Sequence, residues 1–168
     1  MISIRAEQMQ DAGAVRRVNE SAFETAAEAD LVDLLRVRGK LVVSLVACAD
    51  DQVVGHIAFS QATIASSPEL RGLGLGPMAV APDMQRSGIG SRLARAGLEQ
   101  CRAEGIDYVI VLGHPQFYPR FGFVPASRFG VWSAWPAPDD AFMALELRPD
   151  ALAGASGLAA YEPEFDEV

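Results

Sequence analysis

The stretch from Leu73 to Gly90 constrains this chain most, because it joins an interrupted strand to a helix through a glycine-bearing turn. Leu73 to Val80 is apolar and strand-like, yet Gly74, Gly76 and Pro77 punctuate it. Pro77 has no N–H to give a ladder, so its strand lies at an edge, carries a bulge or has parted locally from a neighbour. Gln85-Arg86-Ser87-Gly88-Ile89-Gly90 then opens a helix expected from about Gly88 to Glu104. Ile89, Leu93, Ala96 and Leu98 form its apolar stripe and Gly105 its stop. A helix amino terminus gathers unpaired N–H groups at the positive end of the helix dipole. Phosphate is a natural ligand there, and Gly88 and Gly90 remove side chains that would hold it away from the amides.

Glycines at a helix start indicate only an anion site, and the neighbouring residues narrow it. A dinucleotide-binding turn needs its first glycine at the strand end and an acid about twenty residues later, at the end of the next strand. Tyr108 stands there, at a strand's beginning. A P-loop needs Lys after its last glycine, and Ser91 occupies that place.

The rest of the chain reads as strands and helices around a sheet. Ile2, Ile4 and Ala6 alternate as in a strand. Helices are expected after Asp11, with Val15, Val18, Ala22 and Phe23 on one face, and over Glu28 to Val37. Leu41 to Ala49 and Gln52 to Thr63 form a hairpin across Asp50-Asp51. Tyr108 to Leu112 is a continuous apolar run, as in a strand covered on both faces, and the strand–helix–strand order from Leu73 implies parallel pairing. Gln116 to Phe121 reads as a short helix or turn and Phe142 to Leu147 as a strand.

At 168 residues, half of them apolar, the chain has material for one domain with a substantial core, placed at 1–148 with an acidic extension at 149–168 packed on it or trailing from it. That extension, with five acids from Asp150 onward and no Lys or Arg, reads as a solvated tail. Cys48 and Cys101 have neither the number nor the spacing of a disulfide framework or zinc site. No secretory signal opens the chain and no apolar run reaches membrane-spanning length, so a cytoplasmic protein without a membrane partner is expected. The formal charge of -8 argues against nucleic acid, while Arg86, Arg92 and Arg95 gather beside the anion site.

The run Met78-Ala79-Val80-Ala81-Pro82-Asp83-Met84-Gln85-Arg86-Ser87-Gly88-Ile89-Gly90 resembles the coenzyme A-binding signature of the GNAT superfamily of N-acyltransferases. The resemblance implies an α/β (α+β layered) fold: a mixed, mostly antiparallel sheet flanked by helices, with a splayed central parallel strand pair. It also implies a coenzyme A site. Met78, Ala79 and Val80 would meet the pantetheine arm, and Gln85, Arg86, Ser87, Gly88, Ile89, Gly90 and Ser91 the pyrophosphate. Acetyl-CoA is then the acyl-donor cosubstrate, with no metal. Leu112-Gly113-His114 through Phe121-Gly122-Phe123 resembles the family's carboxy-terminal motif, with Tyr118 at the tyrosine that protonates the departing thiolate in many members. Together with Ser44-Leu45-Val46-Ala47 and Val54-Gly55-His56-Ile57, these elements extend the resemblance over most of residues 1 to 148, to a branch of uncharacterised predicted acetyltransferases. His114 departs from that branch, which commonly carries an acid there.

Amine acetylation needs a proton acceptor for the attacking amine. The strand Leu73 to Val80 carries no acid, which leaves Glu28, His56 and His114, or a relay of water. Glu28 also suits a helix start by its charge alone, and His56 also suits a buried strand position. Trp132, Trp135 and Pro136 are candidates for a substrate-side wall. The expected function is an N-acetyltransferase acting on an amine acceptor. The alternative is a noncatalytic coenzyme A-binding or regulatory module, and a homodimer is left open by the sequence.

Overall fold

The computed structural model describes residues 1–168. In chain order its elements are β1 (Ile2–Ala6), α1 (Ala12–Ala22), α2 (Ala27–Val37), β2 (Val43–Ala49), β3 (Gln52–Ile64), β4 (Gly72–Val80), α3 (Ile89–Ala103), β5 (Tyr108–Leu112), β6 (Val124–Pro125), β7 (Val131–Ser133), β8 (Phe142–Glu146) and β9 (Gly157–Ala160). The hydrogen-bonded order runs β1-β2-β3-β4 and continues β4-β5-β8-β6. The sheet is mixed: β4 and β5 are parallel, β5 and β8 antiparallel, as are β1 with β2 and β2 with β3. Two compact units divide the chain: Met1–Ser60, Gly76–Gln100 and Pro163–Val168 form one, Gln61–Leu75 and Cys101–Glu162 the other.

In the first unit β2 and β3 meet at the Asp50-Asp51 turn, where Asp50 takes a left-handed φ of 52° that Asp tolerates better than most residues. α1 buries Val15, Val18 and Asn19, spaced three and four apart on one face. Val15 packs with Val32 of α2 and with Val46 and Cys48 of β2. Arg16 links the two helices by pairing with Asp30 and Asp33. Gly97 lets α3 lie on β3, since a Cβ there would fall 2.4 Å from the Phe59 ring.

The second unit centres on Tyr108, Ile110, Phe142, Ala144, Ile64 and Leu152, all buried. Three strands here escape a sequence reading because they are so short. β6 has two residues, β7 three and β9 four, too few for an alternation to register. β9 pairs antiparallel with the end of β3 and parallel with β7.

Of the two placements open to the carboxy-terminal segment, packed or trailing, its buried residues show packing. Ala151, Leu152, Ala155 and Ala159 are buried, and its last residues fold back in the first unit as a 3-10 turn, Pro163–Asp166. There Glu164, 2% exposed, bonds Arg38 at 2.8 Å and Lys40 at 3.0 Å, and Glu167 also reaches Arg38. The hydrogen bond from Arg38, with Lys40 behind it, holds the Glu164 carboxyl down at about 2. A depressed carboxylate stabilises the fold above its unfolded pKa of about 4.3, and that contribution is lost as pH falls through the folded value. Acid unfolding followed by circular dichroism should therefore show a loss of stability between about pH 4.5 and about pH 2 that Glu164→Gln reduces, the remainder coming from Asp11 and Asp107, which their partners also hold low; a variant with the wild-type acid profile would exclude this contact as a source.

Candidate functional site

β4 changes phase along its length. Gly113 N–H bonds Ala141 O and Leu147 N–H bonds Asp107 O, so the odd residues of β5 face β8 and Ile110 and Leu112 face β4. The parallel register runs from Gly72↔Tyr108 to Leu75↔Val111, with Leu75 using its main-chain groups toward β5. Six residues on, a regular strand would still point Ala81 that way, yet Ala81 N–H bonds Val54 O of β3 at 2.8 Å. Between these two points lies Gly76-Pro77, a cis peptide whose Pro77 has no N–H. Beyond it the main chain of Met78 and Val80 turns away from β3. The Val80 carbonyl accepts Gln85 Nε2 at 2.9 Å, and Ala79 is buried.

The turn after β4 begins with a 3-10 turn, Pro82–Met84, and Ser87 Oγ donates to the Met84 carbonyl. Arg86 and Gly88 both take left-handed backbone angles, φ 63° and 88°. A Cβ on Gly88 would meet nothing within 4 Å, so the glycine answers the backbone angle and leaves open space above the helix start. The first helical bond of α3 runs from Arg92 N–H to Gly88 O at 3.1 Å. The N–H groups of Ile89, Gly90 and Ser91 therefore have no carbonyl within the helix. Ile89, 2% exposed, anchors the turn, while Gln85 to Gly88 are exposed. Three aimed N–H groups, a bare glycine and the dipole of a fifteen-residue helix suit a diphosphate. No group of acidic, His or Cys side chains is arranged to hold a metal.

Tyr118 starts a 3-10 turn, Tyr118–Phe121, in the second unit. Its ring lies against Gly113, where a Cβ would fall 2.5 Å away, and makes edge contacts with Phe117 and Phe123. Burial pushes the phenol up to about 12, so it stays protonated at any physiological pH. Tyr161, which sequence patterning does not single out, belongs to the same unit. Its ring fills the space over Gly74 and stacks on Trp135 at 5.2 Å. The one available signal was the alternation Gly72, Gly74, Gly76, which strips one face of β4 and leaves room for rings.

The remaining candidates lie in the first unit. Glu28 sits in the first turn of α2, half-buried, and its Oε1 is buried with no hydrogen-bond partner. His56 is fully buried and boxed in: Nε2 lies 2.8 Å from Ser44 Oγ and 3.6 Å from Glu7 Oε1, and Nδ1 lies 3.5 Å from Asn19 Nδ2. Asn19 Nδ2 also donates to Val15 O, which fixes the amide so that Nδ1 faces a donor and Nε2 carries the proton. Burial, reinforced by the nearby Arg36 charge, brings the imidazole down to about 3. His114, after β5, accepts from the Phe117 N–H through its carbonyl.

A GNAT acetyltransferase domain model matches residues 41–125, which take in β4, the turn and α3. The uncharacterised N-acetyltransferase YhbS of Escherichia coli (strain K12) is 36% identical over 164 residues, 97% of this chain and 98% of YhbS. This chain belongs to the GNAT acetyltransferase family. The uncharacterised N-acetyltransferase YjhQ of the same strain is 40% identical over 136 residues, 77% of this chain and 74% of YjhQ. The crystal structure of YhbS in complex with CoA superposes with a TM-score of 0.94, covering 98% of this chain and 92% of that one. A Brucella melitensis GNAT acetyltransferase in complex with acetyl-CoA, 37% identical, gives 0.81 with 99% of each chain covered. The mixed sheet with its parallel β4–β5 pair is the expected GNAT fold, and the chain is an N-acetyltransferase.

The His56 site yields a direct check. Imidazole nitrogen chemical shifts should stay those of the neutral Nε2–H form from about pH 8 to about pH 5; a midpoint near the ordinary value of about 6.5 would contradict the buried network.

Proposed function

We propose that this GNAT enzyme binds acetyl-CoA on the main chain of β4 and the amino terminus of α3 and passes the acetyl group to a primary amine. The observation that carries this reading is the row of unpartnered N–H groups on Ile89, Gly90 and Ser91 behind an open Gly88. Met78 and Val80, turned away from β3, offer amide-binding groups to an extended arm. CoA and acetyl-CoA in the two relatives' crystals support the choice of ligand. Gln85 Nε2 holds the Val80 carbonyl and so fixes strand and turn together.

Tyr118 acts on the leaving sulfur. A phenol at about 12 and a thiol at about 8.5 differ by about 3.5 pKa units, so complete proton transfer would be uphill by about 5 kcal/mol. A hydrogen bond to a charged acceptor contributes about 1.5–3 kcal/mol without that cost. Tyr118 therefore works as a hydrogen-bond donor to the developing thiolate, and transfer completes only where burial raises the thiol as well.

Proton removal from the amine falls to Glu28 rather than His56. Charging an imidazole whose pKa is about 3 costs about 5 kcal/mol at pH 7 and would leave a cation in a sealed site. Glu28 instead presents a carboxylate oxygen that nothing in the fold satisfies, a cost that a structural role does not explain.

Three outcomes follow. Acetyl-CoA at about 100 times its dissociation constant should stabilise the protein by about 2.7 kcal/mol, and Gly88→Val should raise that constant at least tenfold; no thermal shift with acetyl-CoA or CoA would end the reading. Tyr118→Phe should lower kcat by about 10- to 150-fold with an unchanged KM for acetyl-CoA, and wild-type kcat should show no fall up to about pH 10 from loss of this phenol. Glu28→Gln should cost at least about a hundredfold in kcat, whereas wild-type turnover in that variant would return proton removal to water.

A further inference from the structure

The last residues of the chain grip one end of the helix whose other end carries Glu28, and both belong to the first unit. Within Pro163–Val168 the one buried side chain is Glu164; Phe165 is half-buried, and Pro163, Asp166, Glu167 and Val168 are exposed. The Glu164 carboxylate takes Arg38 Nη1 at 2.8 Å and Lys40 Nζ at 3.0 Å, and Glu167 takes the same Arg38 nitrogen at 2.6 Å. Arg38 is the C-cap of α2, and Lys40 N–H bonds back to Leu35 O. A segment that buries a charge and no complete apolar side chain gains little from excluding water. A carboxylate at a helix carboxy terminus also opposes the dipole unless cations stand between them. Apolar side chains of similar volume often replace a buried ion pair at no loss of stability, so what the pair supplies here is direction.

α2 has need of direction. No side chain caps its first turn, which follows Ala26. Ala29, Leu31, Val32 and Leu35 are buried and fix which face of the helix points inward, but apolar contact is non-directional and resists a slide along the axis only weakly. Ion pairs fix that register. Arg16 of α1 takes Asp30 and Asp33, Arg36 takes Asp33 and Glu7, and Arg38 takes Glu164 and Glu167. Glu164 is the most buried acid among them, so its pairing is the least weakened by water and salt. Glu28 lies in the first turn of the same helix, about 15 Å along its axis from Arg38.

We propose that Glu164 is a positioning residue for the transfer reaction: the carboxy-terminal strap holds Arg38 and Lys40 and thereby sets where α2 presents the Glu28 carboxylate. The proposal rests on the reading of Glu28 as the proton acceptor given above. Glu164 touches no reactant and acts through the helix. Misplacing a reacting group by about 1 Å can cost about a hundredfold in rate, so a small slide of α2 is enough to matter.

Carbon and amide chemical shifts of the full-length protein, saturated with CoA and held well below its melting temperature, test this. In Glu164→Gln the side-chain carboxyl carbon of Glu28 and the amides of Ala27 to Asp30 should shift, although they lie at the opposite end of α2 from the altered contact. Arg38→Gln, which removes the other partner, should shift the same signals in the same direction. The Ile89 and Gly90 amides should keep their CoA-bound positions in both variants, which shows an intact fold and cofactor site. Changes confined to residues beside Arg38 and Lys40, or opposite shifts of Glu28 in the two variants, would overturn the proposal. Turnover retained in Glu28→Gln would overturn the proton-acceptor reading by itself, so the two failures are distinguishable.

Discussion

The change of main-chain phase along β4 governs how the candidate site is built. The parallel ladder with β5 runs to Leu75↔Val111, and two residues on Pro77 has no N–H to give. Had β4 continued in phase, the amide groups of Met78 and Val80 would have been spent on the sheet. After the break they face away from β3, and the Val80 carbonyl is held by Gln85 from the turn that follows. A defect that would weaken an ordinary sheet thus leaves a main chain able to bind an extended ligand. The amino terminus of α3, nine residues on from Val80, supplies donors for a charged one.

The proton chemistry follows from burial more than from residue type. His56 looks the better base on paper, yet a sealed site with Arg36 nearby holds it neutral. It serves instead as one member of a polar network with Ser44, Glu7 and Asn19, while Arg36 pairs with Glu7 at 2.7 Å. That network ties α1 and α2 to β2 and β3. Asn19 Nδ2, Ser44 Oγ and the Arg36–Glu7 pair are matched within it, while Asn19 Oδ1 is buried without a partner. Glu28, one oxygen buried and unmatched, is the carboxylate for which the fold provides no such account.

Much of this was legible in the residues. The strand with Pro77, the Gly88-Ile89-Gly90 helix start, the Asp50-Asp51 hairpin and the apolar run Tyr108 to Leu112 are all local signals, and each lies where its chemistry places it. Legibility failed where a position is decided by residues far along the chain. Glu164 meets Arg38 across 126 residues, so an acidic segment read as solvated is instead held by two cations and a strand pairing. Tyr161 meets Ile110 across 51 residues, and only the spacing of three glycines hinted that a ring would be needed there. β6, β7 and β9 are too short to show a period and exist because neighbouring strands offer them partners.

The account stands on the main-chain amides at the start of α3 meeting the pyrophosphate. Amide chemical shifts followed by nuclear magnetic resonance during titration with CoA test this directly, since they report each N–H separately. The largest changes should fall on Ile89, Gly90 and Ser91, with Met78 and Val80 moving in the same concentration range. Saturation with CoA that leaves those three amides unmoved, while others shift, would contradict it.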